Sequence, residues 1–289
     1  MPINESTKTN LRRKSAYIDN VQMHGDVPLF SWIDFNVTEL CNRQCVFCPR
    51  IDPSFYPNQN LHIAPELIQK IADELHALNY QGAIVLCGYG EPLLHPKLDD
   101  LVARFGESVR VEIVTNGDFL TPETISKLIA AGTDYFVVSM YDGPHQTAAF
   151  RSMFKEAGCD EEQYLLRDRW HSEEDGFGLK LTNRAGTVSV GVQEEIDVTH
   201  PCHYLAYSMT VDWNGDVLLC VQDWHKKVKL GNLNHQSLLE IWTSSPMCKR
   251  RIQLAHGRRT SAPCNTCNAD GTLHGFNHVR AWGVDSTAN

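Results

Sequence analysis

Hydrophobic and polar positions first fall into a clear pattern at Ser31-Trp-Ile-Asp-Phe-Asn-Val-Thr38. Ile33, Phe35 and Val37 take one side, and Asp34, Asn36 and Thr38 the other. That is a strand with one packed face and one face toward a polar interior. The period then changes to helical over Pro65–Asn79, where Leu67, Ile68, Ile71, Ala72, Leu75 and Leu78 share a stripe. Ala83-Ile-Val-Leu-Cys87 is a continuous apolar run of the kind buried in parallel sheets. A helix near Pro96–Phe105, a strand at Val109–Val114, a helix opened by Thr121-Pro122 and closed by Gly132, and a strand at Tyr135–Ser139 follow. A helix at His145–Ala157 and a charged strand at Tyr164–Trp170 complete the series.

This βα alternation predicts parallel strands with right-handed crossovers. The chain before Cys202 leaves little room for a complete sixth unit. The expected fold is therefore α/β, a partial (β/α)5–6 TIM-like barrel with an open side, spanning residues 29–200. Residues 1–28 read as a loosely ordered arm, 201–275 as a second unit, and 276–289 as a tail. Within the second unit, Asn214-Gly215 predicts a hairpin with a type I′ turn.

Composition narrows the class. The chain has 289 residues, a net charge of −9 and ten cysteines. An acidic chain offers no basic field to nucleic acid. No apolar run approaches membrane-spanning length, and Met1–Asn20 lacks the apolar core of a signal peptide. Ten cysteines in that context point to metal ligation in a reducing compartment, so a cytoplasmic location is expected.

Barrel chemistry gathers at the carboxyl ends of strands, and the notable residues stand there. Cys41, Cys45 and Cys48 form C-x3-C-x2-C after the first strand. Three thiolates so spaced can hold three corners of a [4Fe–4S] cube and leave one iron open; zinc, which normally takes four ligands, is the other reading. Gly88-Tyr-Gly-Glu-Pro92, Thr115-Asn-Gly117 and Ser139 end the next three strands. Farther on, Cys202 and Cys220 flank the predicted hairpin, and Cys264-Asn-Thr-Cys267 follows. Four thiolates can close a zinc or a [4Fe–4S] site. Arg167, Arg169, Lys180 and Arg184 are candidate anchors for an oxygen-rich or anionic substrate.

The CxxxCxxC motif, with Phe47 before its last cysteine, resembles the signature of the radical SAM superfamily. The resemblance implies an open iron that chelates S-adenosylmethionine (SAM), reductive cleavage to a 5′-deoxyadenosyl radical, and hydrogen abstraction from substrate. Gly90, Glu91 and Pro92 resemble the family's GGEP element, which holds the methionine amino group, although Tyr89 replaces its first glycine. Thr115, Asn116 and Ser139 fall where the family contacts the ribose and methionine carboxylate. The C-terminal cysteines resemble the SPASM/twitch extension, in its short form with one auxiliary [4Fe–4S] cluster held by Cys202, Cys220, Cys264 and Cys267.

In layout the chain is similar to twitch enzymes acting on aminocyclitols and sugars. The resemblance implies a small polar substrate, oxidised or epimerised, with Arg169 and Arg184 as substrate contacts and Cys248 as a candidate hydrogen donor. It also implies a reducing partner such as flavodoxin or ferredoxin. A maturase of ribosomal peptides is the competing enzyme reading, and a zinc-binding interaction module the non-catalytic one.

Overall fold

The structure is a computed structural model that describes residues 5–106, 109–178, 181–191 and 195–284. Its centre is one sheet. Strands β1 (Trp32–Asn36), β2 (Ala83–Cys87), β3 (Arg110–Thr115), β4 (Tyr135–Met140) and β5 (Tyr164–Asp168) run parallel in chain order. Helices preceding or joining them include α1 (Glu5–Ile18), α2 (Pro65–Ala77), α3 (Leu98–Phe105), α4 (Pro122–Ala131) and α5 (His145–Glu156). Thr121 caps α4 through its side chain and Gly132 ends it at a φ of 113°, as the local sequence requires.

The sheet does not stop at β1. β6 (Ser208–Val211) pairs parallel with β1, and β7 (Asp216–Leu218) and β8 (Lys229–Asn232) continue antiparallel. The order is β8-β7-β6-β1-β2-β3-β4-β5. The expected open partial barrel is present, and its sixth parallel strand comes from the C-terminal unit. The β6–β7 turn is not type I′, which needs positive φ at both central residues. Here Gly215 alone is left-handed, at 85°, and its N–H bonds the Asp212 carbonyl at 2.9 Å. That is a three-residue loop.

The two faces of the sheet differ as the alternation in β1 predicts. Ile33, Phe35, Ile84, Leu86, Val111, Ile113 and Phe136 pack outward against the stripes of α2 to α5. Trp32, Ala83 and Val85 face the concave side, where they meet Ile18 of α1 and Tyr207. Cys159, in a stretch that reads as a surface loop, is buried in the outer core.

The N-terminal segment departs furthest from expectation. Residues 5–18 are not a loose arm but a helix that packs against β5 on the concave side. Arg13 pairs with the wholly buried Glu112 of β3 and lies 5.3 Å from the ring centroids of both Trp32 and Tyr135. Ser15 Oγ meets His274 Nδ1 at 3.2 Å, which ties the helix to the C-terminal segment. Later helices α6 (Leu238–Trp242), α7 (Ser245–Ala255) and α8 (Phe276–Ala281) cover the β6–β8 end.

Removing Arg13 would leave the wholly buried Glu112 carboxylate with Arg110 alone, at 3.0 Å, a loss of about 2 kcal/mol, below the cost of a fully unpaired buried charge. Arg13→Ala should therefore lower unfolding free energy by about that amount in a denaturant titration. A loss within about 0.5 kcal/mol, the range of ordinary surface substitutions, would mean that α1 does not hold the concave face.

Candidate active site

A cavity of about 330 Å³ opens at the carboxyl ends of the parallel strands and runs down their concave face. Cys41, Cys45 and Cys48 line its mouth, together with Gly90, Glu91, Thr115, Asn116, Ser139 and Arg184. The motifs read separately in the sequence thus meet in one space.

Backbone contact holds the mouth together. Glu91 N–H donates to the Leu40 carbonyl at 2.7 Å, and Tyr89 N–H to Asn36 Oδ1 at 2.9 Å. A Cβ on Gly90 would collide with the Thr38 carbonyl and stand 2.5 Å from that of Leu40. Tyr89 is tolerated at the departure from GGEP because its ring packs with Tyr56 and Trp224, at centroid distances of 5.9 and 4.5 Å. Two arginines that sequence reasoning passed over brace the thiol loop. Arg43 bridges Asp118 and Asp142 at 2.5 and 2.6 Å, linking the loop to the ends of β3 and β4. Arg50 donates to the carbonyls of Glu39 and Tyr89. Phe47 stacks on Tyr141 at 6.0 Å and packs at a tilt against Phe177 at 5.0 Å.

Glu91 is buried, and its carboxylate accepts from Thr115 Oγ1 at 2.6 Å, Asn116 N–H at 2.8 Å and Leu93 N–H at 3.1 Å. Thr115 and Asn116 therefore orient Glu91. Burial raises its pKa to about 7 against those hydrogen bonds. Ser139 Oγ accepts from Arg167 Nη2 at 2.8 Å.

Deeper in the cavity Asp34 Oδ1 accepts from Trp32 Nε1 at 3.2 Å and from the Cys87 thiol at 3.6 Å. Burial holds the Asp34 carboxyl above the usual range. Asn36, its neighbour on the same face, is committed to structure: its side chain donates to Glu39 and Asp212, each at 2.7 Å. Asp34 is the polar residue of β1 with a free oxygen.

One expected substrate contact and the expected hydrogen donor fall elsewhere. Arg169 lies outside the cavity wall and donates to the carbonyls of Asp168 and Gly178, both at 2.7 Å, pinning a turn. Cys248 lines neither this cavity nor the thiol site below. Its Sγ sits on α7, 3.5 Å from the Thr243 carbonyl and 3.5 Å from Arg251 Nη1. Besides Cys41, Cys45 and Cys48, the thiol that lines the cavity is Cys87. Lys180 lies outside the described residues.

The second set of cysteines also converges. Cys202, Cys220, Cys264 and Cys267 line one small enclosed cavity with Arg259 and Ala269. Burial and mutual repulsion push the Cys264 thiol up to about 12 and Cys220 well above its ordinary value. At the mouth, the same causes bring Cys45 to about 12. Thiolates packed so closely need positive charge among them, and an iron–sulfur cluster supplies it. Ala269 N–H points at Cys267 Sγ at 3.4 Å, a donor that would tune such a cluster.

The family model for the Radical SAM superfamily matches residues 35–165, and that for SPASM, an iron–sulfur cluster-binding domain, matches 202–268. S-adenosyl-L-methionine-dependent 2-deoxy-scyllo-inosamine dehydrogenase from Niallia circulans is 31% identical over 245 residues, covering 83% of this chain and 93% of that protein. The chain belongs to the radical SAM superfamily. A solved structure of BtrN in complex with AdoMet and 2-DOIA is similar at a TM-score of 0.71 and 31% identity, covering 86% of this chain and 98% of that one. AdoMet-dependent heme synthase from Methanosarcina barkeri is 34% identical over 110 residues, 37% of this chain and 30% of that protein. The enzyme is an oxidoreductase that uses SAM and two iron–sulfur clusters. Among the described residues no helix is long and apolar enough to cross a membrane.

A Cβ on Gly271 would stand 2.5 Å from Cys202 Sγ and 2.6 Å from Cys202 Cα. Gly271→Ala should displace that thiol and remove one cluster, so iron in reconstituted protein falls from about eight atoms to about four. Unchanged iron would show that Cys202 is not a ligand.

Proposed function

We propose that this enzyme oxidises a carbinol of a small sugar- or cyclitol-like substrate to a ketone. The observation that carries this reading is the convergence of Cys41, Cys45 and Cys48 with Asp34 and Arg184 in one cavity, with four further thiols lining a second, in a chain similar along its length to a SAM-dependent dehydrogenase. Cys41, Cys45 and Cys48 would hold the SAM-binding cluster, and Cys202, Cys220, Cys264 and Cys267 the auxiliary one. When bound, SAM on its cluster supplies the 5′-deoxyadenosyl radical that abstracts hydrogen, and the auxiliary cluster supplies a site for the electron that leaves.

The chain's own residues do the rest. Glu91, held by Thr115 and Asn116, faces the SAM amino group beside the Gly90 backbone, with Pro92 ending the turn. Ser139 and Arg167 offer hydrogen bonds to the methionine carboxylate. Arg184 anchors substrate oxygen. Asp34 takes the hydroxyl proton: its second oxygen accepts no hydrogen bond among the described residues, and burial raises its carboxyl pKa, which makes it a stronger base than an exposed carboxylate. The residue boundaries proposed for the units are 29–200 and 201–275, preceded by a segment of 1–28 that includes α1 and followed by 276–289. A flavodoxin- or ferredoxin-type donor and a cytoplasmic location complete the proposal, in keeping with ten cysteines that are all unpaired by disulfides.

Epimerisation is a second reading, favoured by Cys87, whose thiol lines the cavity beside Asp34. Burial keeps it protonated, as a hydrogen-atom donor must be.

Two measurements test these assignments. The Glu91 carboxyl is protonated below about pH 7 and then lacks the charge that attracts an ammonium. SAM affinity in equilibrium dialysis should weaken as pH falls through that value, by up to about tenfold per unit. Glu91→Gln should be weak and flat across the same range; a steep profile in the variant would sink the assignment. For the reaction, Asp34→Asn should reduce ketone formation about 100-fold or more while deoxyadenosine still forms. Turnover in deuterated water separates the outcomes. A ketone product supports oxidation, and an inverted carbinol carbon carrying one solvent deuterium, lost in Cys87→Ala, supports epimerisation.

A further inference from the structure

Among the described residues six cations line the active-site cavity, and they divide sharply by pairing. Arg13 pairs with Glu112, Arg43 with Asp118 and Asp142, and Arg50 with Glu39. Arg167 gives a single hydrogen bond, to Ser139. Lys14 and Arg184 make none. The Lys14 ammonium lies 4.7 Å over the Trp32 ring and has no hydrogen bond or ion pair among the described residues. The Arg184 guanidinium is likewise unpartnered, with Nε buried, and its backbone is held at a φ of 47°. Against these stand two carboxylates in the wall, Asp34 and Glu91.

SAM accounts for only part of that imbalance. In the reading above its amino group meets Glu91 and its carboxylate meets Ser139 and Arg167. Its sulfonium then adds a further positive charge. What remains among the described residues is Lys14, Arg184 and the sulfonium against Asp34 and the net negative charge of a [4Fe–4S]2+ cluster on the three thiolates, of which Cys48 lies near Arg184, so positive charge is still in excess. We infer that the substrate carries an anionic group, a carboxylate or a phosphate, received by Lys14 and Arg184.

Several observations support this. Both residues come from segments outside the two matched family domains, residues 35–165 and 202–268. Such segments are where a particular member sets its own specificity on a shared scaffold. Lys14 is presented by a helix fixed in place by Arg13 and Ile18, so its ammonium is preorganised. Burial, with Arg13 and Arg167 nearby, pulls the Lys14 ammonium below its usual range despite the attraction of Asp34. A bound anion would relieve it. The substrate would then differ in charge from an inosamine.

The inference rests on the proposed oxidation of a small polar molecule, but its test does not require turnover. Reconstituted holoenzyme with SAM and no reductant is titrated calorimetrically with inorganic phosphate, and then with glucose 6-phosphate, glucuronate, myo-inositol and glucosamine in competition. Saturable phosphate binding is expected, displaced by glucose 6-phosphate or glucuronate and not by myo-inositol or glucosamine. Whichever anion competes better identifies the group. Lys14→Met and Arg184→Met should each weaken phosphate binding about tenfold, the value of one charge-assisted contact, while Lys14→Arg retains it. Equal iron content and circular dichroism establish that the variants are folded. Absence of saturable phosphate binding in the wild type, or wild-type phosphate affinity in either Met variant, overturns the inference. A Lys14→Met enzyme that loses SAM affinity to the same degree also overturns it, because the ammonium then belongs to the SAM site. Reductive deoxyadenosine formation by wild type, measured in parallel, reports on the proposed function separately.

Discussion

The site depends on a backbone crossing that admits no side chain. Where β1 and β2 end, the Thr38–Leu40 segment presses on Gly90 so closely that a Cβ would strike a carbonyl. The Leu40 carbonyl takes the Glu91 N–H, and Asn36 takes that of Tyr89. Gly88, at a φ of 110°, meets Asn36 with equal closeness, its Cβ position 2.6 Å from Asn36 Cα. The thiol loop and the Gly-Glu-Pro turn are thereby placed face to face, and Arg50 clamps both through carbonyls. Glu91 can then lie at the cavity mouth in a shell of donors, because its own backbone is already fixed.

A second constraint is electrostatic. The concave face of a parallel barrel is ordinarily filled with apolar layers, and here it holds Asp34, Glu112, Arg167 and a helix carrying Arg13 and Lys14. Buried charge survives only when paired or solvated. Glu112 is paired by Arg13 and by Arg110 at 3.0 Å. The groups left without partners face the cavity. The same helix that neutralises the floor thus shapes what the cavity can accept. Thiol chemistry follows the same rule, since the cysteines within each set are buried close enough to repel one another and need iron among them.

The two metal-binding regions are mechanically one body. β6 pairs directly with β1 over Trp32–Phe35, so the auxiliary thiols are attached to the strand that leads into Cys41. A buried network reinforces the join: Asn36 bonds Asp212, and Lys226 bonds both Asp212, at 2.7 Å, and Glu39, at 2.5 Å. Relative movement of the clusters would require breaking these contacts in the core.

Much was legible from local chemistry alone. The period-two pattern of β1, the stripe of α2, the cap of α4 and the spacing of seven cysteines each follow from rules that act within a few residues, so the βα order and the thiol sets could be read directly. The hairpin turn was legible as a turn but not in type, because the loop length depends on how Asp212 and Asp216 pair. α1 was not legible. Its lumen-facing side chains are Arg13 and Lys14, which look like solvated charge in a polar stretch and become structural only against Trp32, Glu112 and Tyr135 from three strands. Nor could sequence distinguish Cys87 from Cys248, or Arg184 from Arg169, since each pair has the same chemistry and differs only in the direction its element gives it. Which residues could hold iron was thus written in spacing. Which ones share a cavity was decided by the sheet, because burial and pairing are properties of neighbours far apart in the chain.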